Sequence, residues 1–123
     1  MSLAACATLT APEQPPTAPI VISDMNMVTG KWQGMVIREP FQRDWAELTI
    51  HEDGRFEYVS YRQYLGIAKG GGMLKLTDGK LTSATERGQA TYTLVERSGQ
   101  HMLIVEALSK QGLRYSAELT PAE

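Results

Sequence analysis

Cysteine and histidine are scarce in this sequence, and their scarcity excludes several classes of site. The 123 residues include one Cys and two His, at positions 51 and 101. A single thiol can form no internal disulfide and no multi-thiolate zinc site, and two imidazoles cannot build a three-His metal centre. We therefore expect no resident metal and no cofactor.

Positive charge and long hydrophobic runs are also lacking. Twelve Lys and Arg residues stand against fourteen Asp and Glu, a net charge of -2, whereas binding to a nucleic-acid backbone needs a clustered excess of basic residues. No stretch approaches the roughly 18 apolar residues of a membrane-spanning helix. The sequence thus predicts one globular domain without a nucleic-acid partner.

Proline is concentrated near the N-terminus. Four of the six prolines lie at positions 12, 15, 16 and 19, in a segment without apolar periodicity. Such a composition is typical of an extended, solvated tether with polyproline character. We predict a tether over residues 1–21 and a β-domain over residues 22–123.

The lone cysteine follows a short pattern of small residues. Leu3-Ala4-Ala5-Cys6 resembles the lipobox of bacterial lipoproteins, which implies a lipid on Cys6, a removed signal peptide and attachment to a membrane. Because the next residue, Ala7, is not the Asp of inner-membrane retention, the resemblance implies the periplasmic face of the outer membrane. The alternative is that Cys6 is an ordinary residue of a disordered N-terminus.

Short alternating segments fill the rest of the chain. Tight turns are predicted between them at Gly-containing pairs, with Asp53-Gly54 and Asp78-Gly79 the strongest. Apolar and polar residues alternate in the segments as they do in half-buried strands. Eight strands are predicted, at about 30–38, 45–52, 55–64, 70–77, 80–86, 89–97, 100–108 and 112–120.

The strand pattern predicts an all-β fold. Eight short antiparallel strands in sequence order favour an up-and-down barrel or a strongly bent sandwich, because closure removes exposed sheet edges. Ser23-Asp24 offers an N-cap for one short helical turn, from which Met25, Met27 and Val28 would plug the barrel ahead of strand one.

Gly30-Lys31-Trp32-Gln33-Gly34 begins the first predicted strand and resembles the Gly-x-Trp signature of lipocalins and related calycin barrels. The resemblance implies that Gly30 allows a tight entry, that Trp32 closes one end, and that Arg114 of the last strand stacks on Trp32. Arg114 falls on the polar face of its strand, so stacking would need a bulge.

Alternation also predicts which side chains face the barrel lumen. Bulky residues on the inward faces favour a filled lumen over a ligand cavity. Strand three is the most suggestive of a ligand, since Tyr58, Ser60, Arg62 and Tyr64 share one face and Arg62 could orient an anionic head group. The alternative places Arg62 at the solvated rim. The run Gly70-Gly71-Gly72 is expected to form a barrel corner or a bulge.

The function predicted is that of a non-catalytic binding or structural lipoprotein of the cell envelope. It would take a small apolar ligand, or an envelope protein on an outer patch around Met35, Ile37, Val59 or Met73. The alternative is an inhibitor of a secreted enzyme such as lysozyme or a protease, since residues 111–116 are faintly similar to a loop of the lysozyme inhibitors. Catalysis is not expected, because no Gly-x-Ser-x-Gly elbow is present.

Overall fold

A computed structural model describes residues 17–38, 42–62 and 66–122. One turn of 3-10 helix spans Met25–Met27 and is capped by the Asp24 side chain, which accepts a hydrogen bond from the Asn26 amide. Nine strands account for most of the described residues: β1 Thr17–Ile20, β2 Gly30–Arg38, β3 Gln42–Ile50, β4 Arg55–Arg62, β5 Gly66–Thr77, β6 Lys80–Thr85, β7 Gly88–Arg97, β8 Gln100–Ser109 and β9 Arg114–Pro121.

Strands β2 to β9 form a closed antiparallel barrel. Each strand pairs with the next along the chain, and the pairing of β2 with β9 joins the first and last strands. The prediction of an eight-stranded up-and-down barrel after a short helical turn is confirmed, and the architecture is consistent with a lipocalin-like fold. The helix within the described ranges is too short to cross a membrane.

Strand β1 is an addition to the eight predicted strands. Thr17–Ile20 pairs antiparallel with the last part of β7, opposite residues 94–97. That edge of β7 is available because the ladder between β6 and β7 ends at the pair Leu81 and Tyr92. Ile20 packs against the core and Ile22 is buried, so apolar burial holds β1 on the barrel.

The hairpin turns follow from local conformation. Asp78 and Gly79 both have positive φ, 53° and 79°, as a two-residue turn between twisted strands requires. Ser98 and Gly99 form an equivalent pair, with φ of 55° and 78°. Both turns lie at the same end of the barrel, together with the 3-10 helix.

We call this end of the barrel the closed half, because bulky side chains fill it. Its core comprises Ile22, Val28, Trp32, Ile50, Leu81, Leu94 and Leu103, all at most 4% exposed. The Trp32 indole N–H donates to the Val28 carbonyl over 2.9 Å, which ties the 3-10 turn to β2. The other end, where β2 and β9 meet at Arg38 and Tyr115, is the open half.

The expected stacking of Arg114 on Trp32 is wrong. Strand β9 runs antiparallel to β2, so the residue opposite Trp32 is Pro121. Arg114 begins β9 at the other end of the barrel, where it is exposed and opposite Leu108. The two side chains therefore lie at opposite ends of the molecule.

Of the two forms predicted for the glycine run, the bulge is wrong. Gly70, Gly71 and Gly72 lie inside β5, and the register with β4 continues past them without a bulge from the pair Arg62–Gly66 to the pair Arg55–Met73. Residues from Leu74 onward pair with β6. Gly70 and Gly72 make room for side chains inside the barrel.

Candidate ligand-binding site

The open half contains a cavity of about 630 Å³ inside the barrel. It is lined by inward-facing residues from every strand of the barrel, among them Val36, Leu48, Phe56, Ala68, Ser83, Tyr92, Val105 and Leu119. The sequence favoured a filled lumen, and this holds only for the closed half. The volume is within the range of about 300–1,000 Å³ typical of small-molecule sites.

Glycine and aromatic residues shape one wall of the cavity. Tyr58 lies opposite Gly70, and Phe56 lies opposite Gly72. A Cβ added at Gly70 would meet the Tyr58 ring at 2.5 Å, and one at Gly72 would meet the Phe56 ring at 3.2 Å. The missing side chains on β5 therefore let both rings lie against the strand and leave the space beyond them open.

A buried hydrogen bond marks the boundary between the two halves. The hydroxyls of Ser83 and Tyr92 are 2.9 Å apart, and the Tyr92 ring is tilted against Phe56 with centroids separated by 6.3 Å. Burial raises the pKa of Tyr92 above its ordinary value of 10.0, although the Ser83 hydrogen bond opposes the shift. Tyr92 is therefore a neutral group at the bottom of the cavity.

Two residues of opposite charge face the cavity from neighbouring strands. Asp44 of β3 is 7% exposed, and the ladder between β3 and β4 ends at the pair Trp45 and Tyr61, one residue before Asp44 and Arg62. The Arg62 Nε atom is buried and has no hydrogen-bond partner among the described residues. The ion pairs found in the described ranges join His51 to Glu57 and Arg97 to Glu118, so Asp44 and Arg62 do not pair with each other.

Arg87 has a different role at the same end. Its Nη1 atom donates to the Tyr58 hydroxyl over 3.2 Å and to the Lys69 carbonyl over 3.1 Å. Lys69 lies in the part of β5 whose ladder partner is β4, and the ladder between β5 and β6 starts only at Leu74. The Arg87 side chain thus bridges the stretch of wall where β5 and β6 are not paired.

The structure brings three of the predicted site residues together. Tyr58, Ser60 and Arg62 all line the cavity, on one face of β4. Tyr64 and Cys6 lie outside the described residues. Gly30 and Trp32 lie at the closed end, away from this cavity.

Sequence reasoning missed Asp44 and Arg87. The second strand was predicted to begin at residue 45, whereas β3 begins at Gln42. Extending the alternation of Leu48 and Ala46 by one more step would have placed Asp44 inside the barrel. Arg87 gave no such signal, because it occupies a turn and reaches its partners through a long side chain.

The outer wall carries an exposed apolar row. Met35, Trp45, Tyr61 and Ile67 follow one another across β2, β3, β4 and β5 in register and are 39–60% exposed. Of the residues predicted for an outer patch, Met35, Ile37 and Met73 are exposed and Val59 is half-buried. Nothing in the structure shows what would cover this row.

A second concavity, of about 850 Å³, lies against strands β6 to β9. Its lining includes outward-facing residues such as Thr91, Glu106 and Arg114, all of them exposed. The lumen encloses apolar rings and a buried charge, so it is the better candidate site.

The remaining predicted chemistry falls elsewhere or is untested. No group of three potential metal ligands occurs in the described part of the chain, and no His is among the residues that line the lumen cavity. Gln111, Gly112 and Leu113, from the segment similar to lysozyme inhibitors, are exposed between β8 and β9. Enzyme inhibition stays a prediction.

Comparison with known proteins adds no family to this picture. No protein-family model and no curated protein matches the sequence. The case for function therefore rests on the geometry of the barrel.

Proposed function

We propose that this protein is a non-catalytic binding module that holds a small, largely apolar ligand in the open half of its barrel. The observation that carries the proposal is the cavity of about 630 Å³ between β-strands that are otherwise tightly packed. Apolar and aromatic side chains form its deep end and a few polar groups stand near its mouth, which is the usual composition of a small-molecule site.

The glycines of β5 support the same proposal. A side chain at Gly70 would collide with the Tyr58 ring, and one at Gly72 would crowd Thr85 and the Phe56 ring, so the absence of both side chains leaves room for two rings along the cavity wall. Protein interiors are normally close-packed. A wall built to leave space inside a small barrel is more consistent with a ligand than with a purely structural role.

Fluorescence of the apolar dye phenylnaphthylamine tests the proposal. We expect a saturable rise in dye fluorescence with the wild-type chain. Ala68→Trp, which places a large ring in the cavity, should abolish the rise. Ala84→Trp is the matched control, since Ala84 is exposed and lines the second concavity instead. No binding to the wild type, or equal binding to both variants, would contradict the proposal.

The cellular address is a separate part of the proposal. We propose that Cys6 carries a lipid and that residues 7–16, with three of the prolines at 12, 15 and 16, connect the anchored end to the barrel on the periplasmic face of the outer membrane. Feeding cells an alkyne-labelled fatty acid should label the expressed protein. Cys6→Ser should remove the label, and incorporation that survives this substitution would overturn the assignment.

A further inference from the structure

The charged residues of the lumen define what kind of head group a ligand should carry. Asp44 is more than nine-tenths buried and lines the cavity, and a buried carboxylate without a partner is unfavourable. Arg62 of β4 also lines the cavity, with a buried Nε that finds no acceptor within the described ranges. Within the described residues, Asp44 takes part in neither ion pair and the Arg62 Nε has no acceptor, so a bound molecule could supply a partner to each.

The spacing of the two residues matters. Each residue lies one position beyond the last pair of the β3–β4 ladder, Trp45 and Tyr61, and both line the cavity, yet the two are not among the ion pairs of the described residues. An arginine needs an acceptor, preferably anionic, and an ionised carboxylate needs a donor. A ligand that meets both requirements carries an anionic oxygen and a nearby hydroxyl hydrogen.

The rest of the cavity determines the body of that ligand. Leu48, Phe56 and Leu119 line the space toward the closed half, and all are at most 5% exposed. Arg87 is already occupied by Tyr58 and the Lys69 carbonyl, which leaves Arg62 as the available cation among the described residues that line the cavity. A head group with two negative charges would meet repulsion from Asp44.

We propose that the lumen binds a single-chain amphiphile of the hydroxylated fatty-acid class, with its carboxylate on Arg62, its hydroxyl donating to Asp44 and its alkyl chain toward Phe56. This inference rests on the proposed function, because it specifies the ligand of the same cavity. Arg62 supplies the specificity for a monoanion, and Asp44 supplies the preference for a hydroxyl.

Isothermal titration with four probes of equal chain length tests this assignment. The probes are beta-hydroxydodecanoate, dodecanoate, dodecanol and dodecylphosphate. With the wild-type chain we expect beta-hydroxydodecanoate to bind about threefold to tenfold more tightly than dodecanoate, and dodecanoate about tenfold more tightly than dodecanol. Dodecylphosphate should bind more weakly than dodecanoate.

Substitutions then assign the two effects to single residues. Arg62→Gln should reduce dodecanoate affinity to that of dodecanol, and Arg62→Lys should restore part of the loss. Arg43→Gln, on the exposed face of β3, is the matched control and should leave all affinities unchanged. Asp44→Asn should strengthen dodecanoate binding severalfold by removing the negative charge, and should reduce the preference for the hydroxylated probe.

The outcomes separate this inference from the proposed function. If all four probes bind with equal affinity, the cavity binds apolar chains and the head-group assignment is overturned. If none of them binds, the proposed function fails as well. Arg62→Gln and Asp44→Asn are read independently, so a folding defect in one variant still leaves the other as a test. A loss of dodecanoate affinity in Asp44→Asn would contradict the assignment.

Discussion

The two halves of the barrel are built from the same strands and differ in the side chains that those strands direct inward. In the closed half, Leu94 and Leu103 are completely buried among other large apolar residues. In the open half, the same strand β7 contributes Ala90, and β5 contributes Gly70, around a cavity. The comparison shows that side-chain size and polarity, rather than a change of backbone fold, separate a packed core from a binding site.

The closed half also explains how the open half can hold unpaired charges. Full burial of one Leu side chain contributes roughly 1.5–3 kcal/mol, and several such residues are concentrated around Trp32. Polar groups such as Asp44 lower stability where they lack partners. The stability that the packed core contributes in the closed half offsets the stability lost to buried polar groups in the open half.

The largest expected effect comes from opening the closed half. Leu94→Ala removes a side chain with no solvent exposure and should lower the free energy of unfolding by about 2–5 kcal/mol. Leu108→Ala is the matched control, because Leu108 is 41% exposed at the open end, and it should change stability by less than about 1 kcal/mol. Urea denaturation monitors both, and equal losses would remove the distinction between the halves.

A second prediction concerns the plug of the closed end. Trp32→Phe removes the indole donor and leaves the buried Val28 carbonyl without it, which should lower stability by about 1–3 kcal/mol. Because the 3-10 turn lies far from the cavity, dye binding should persist. Loss of binding in a folded Trp32→Phe variant would show that the two halves are coupled.

A third prediction concerns the wall of the open half. Gly70→Ala should displace the Tyr58 ring, lowering stability by about 1–3 kcal/mol and weakening dye binding. In a Tyr58→Ala background the same glycine substitution should be much less destabilising, because the 2.5 Å contact is with the ring. A double-mutant cycle followed by thermal unfolding measures this coupling, and additive losses would argue against the proposed packing.

The smallest effect is expected from Tyr92 at the boundary. Its pKa in the folded chain is raised above the ordinary value of 10.0. The contribution of the neutral Tyr92 to the free energy of unfolding is therefore fully present below pH 10.0 and is lost as the pH rises through the folded pKa. Stability should therefore fall as the pH rises above about 10, and the fall should be shallower in Tyr92→Phe. An identical pH dependence of urea unfolding in both proteins would contradict this account.

The fold could be predicted from alternation and turn residues because both are local signals. Asp78-Gly79 specifies its own turn conformation, and alternation around Leu48 indicates which face is inward. Strand β1 could not be predicted, since Thr17–Ile20 is short and proline-containing and pairs with an edge of β7 that is free there. Such an edge depends on distant parts of the chain.

Only part of the candidate site could be predicted from the sequence, for the same reason. Tyr58, Ser60 and Arg62 share one strand, so their common face follows from period-two alternation. The presence of Asp44 and Arg62 in one cavity depends on how β3 and β4 pair, which a single sequence does not specify. The space inside the barrel depends on how the rings of Tyr58 and Phe56 pack against Gly70 and Gly72. Such packing is not encoded in the alternation of apolar and polar residues.

Methyl NMR of the folded chain during titration with dodecanoate tests the central claim most directly. The account predicts saturable shifts for the methyl groups of Val36 and Val105, which line the cavity, and much smaller shifts for Leu94 and Leu103 in the closed half. Shifts concentrated at the exposed Met35 and Ile37 instead, or an absence of shifts throughout the barrel, would contradict it.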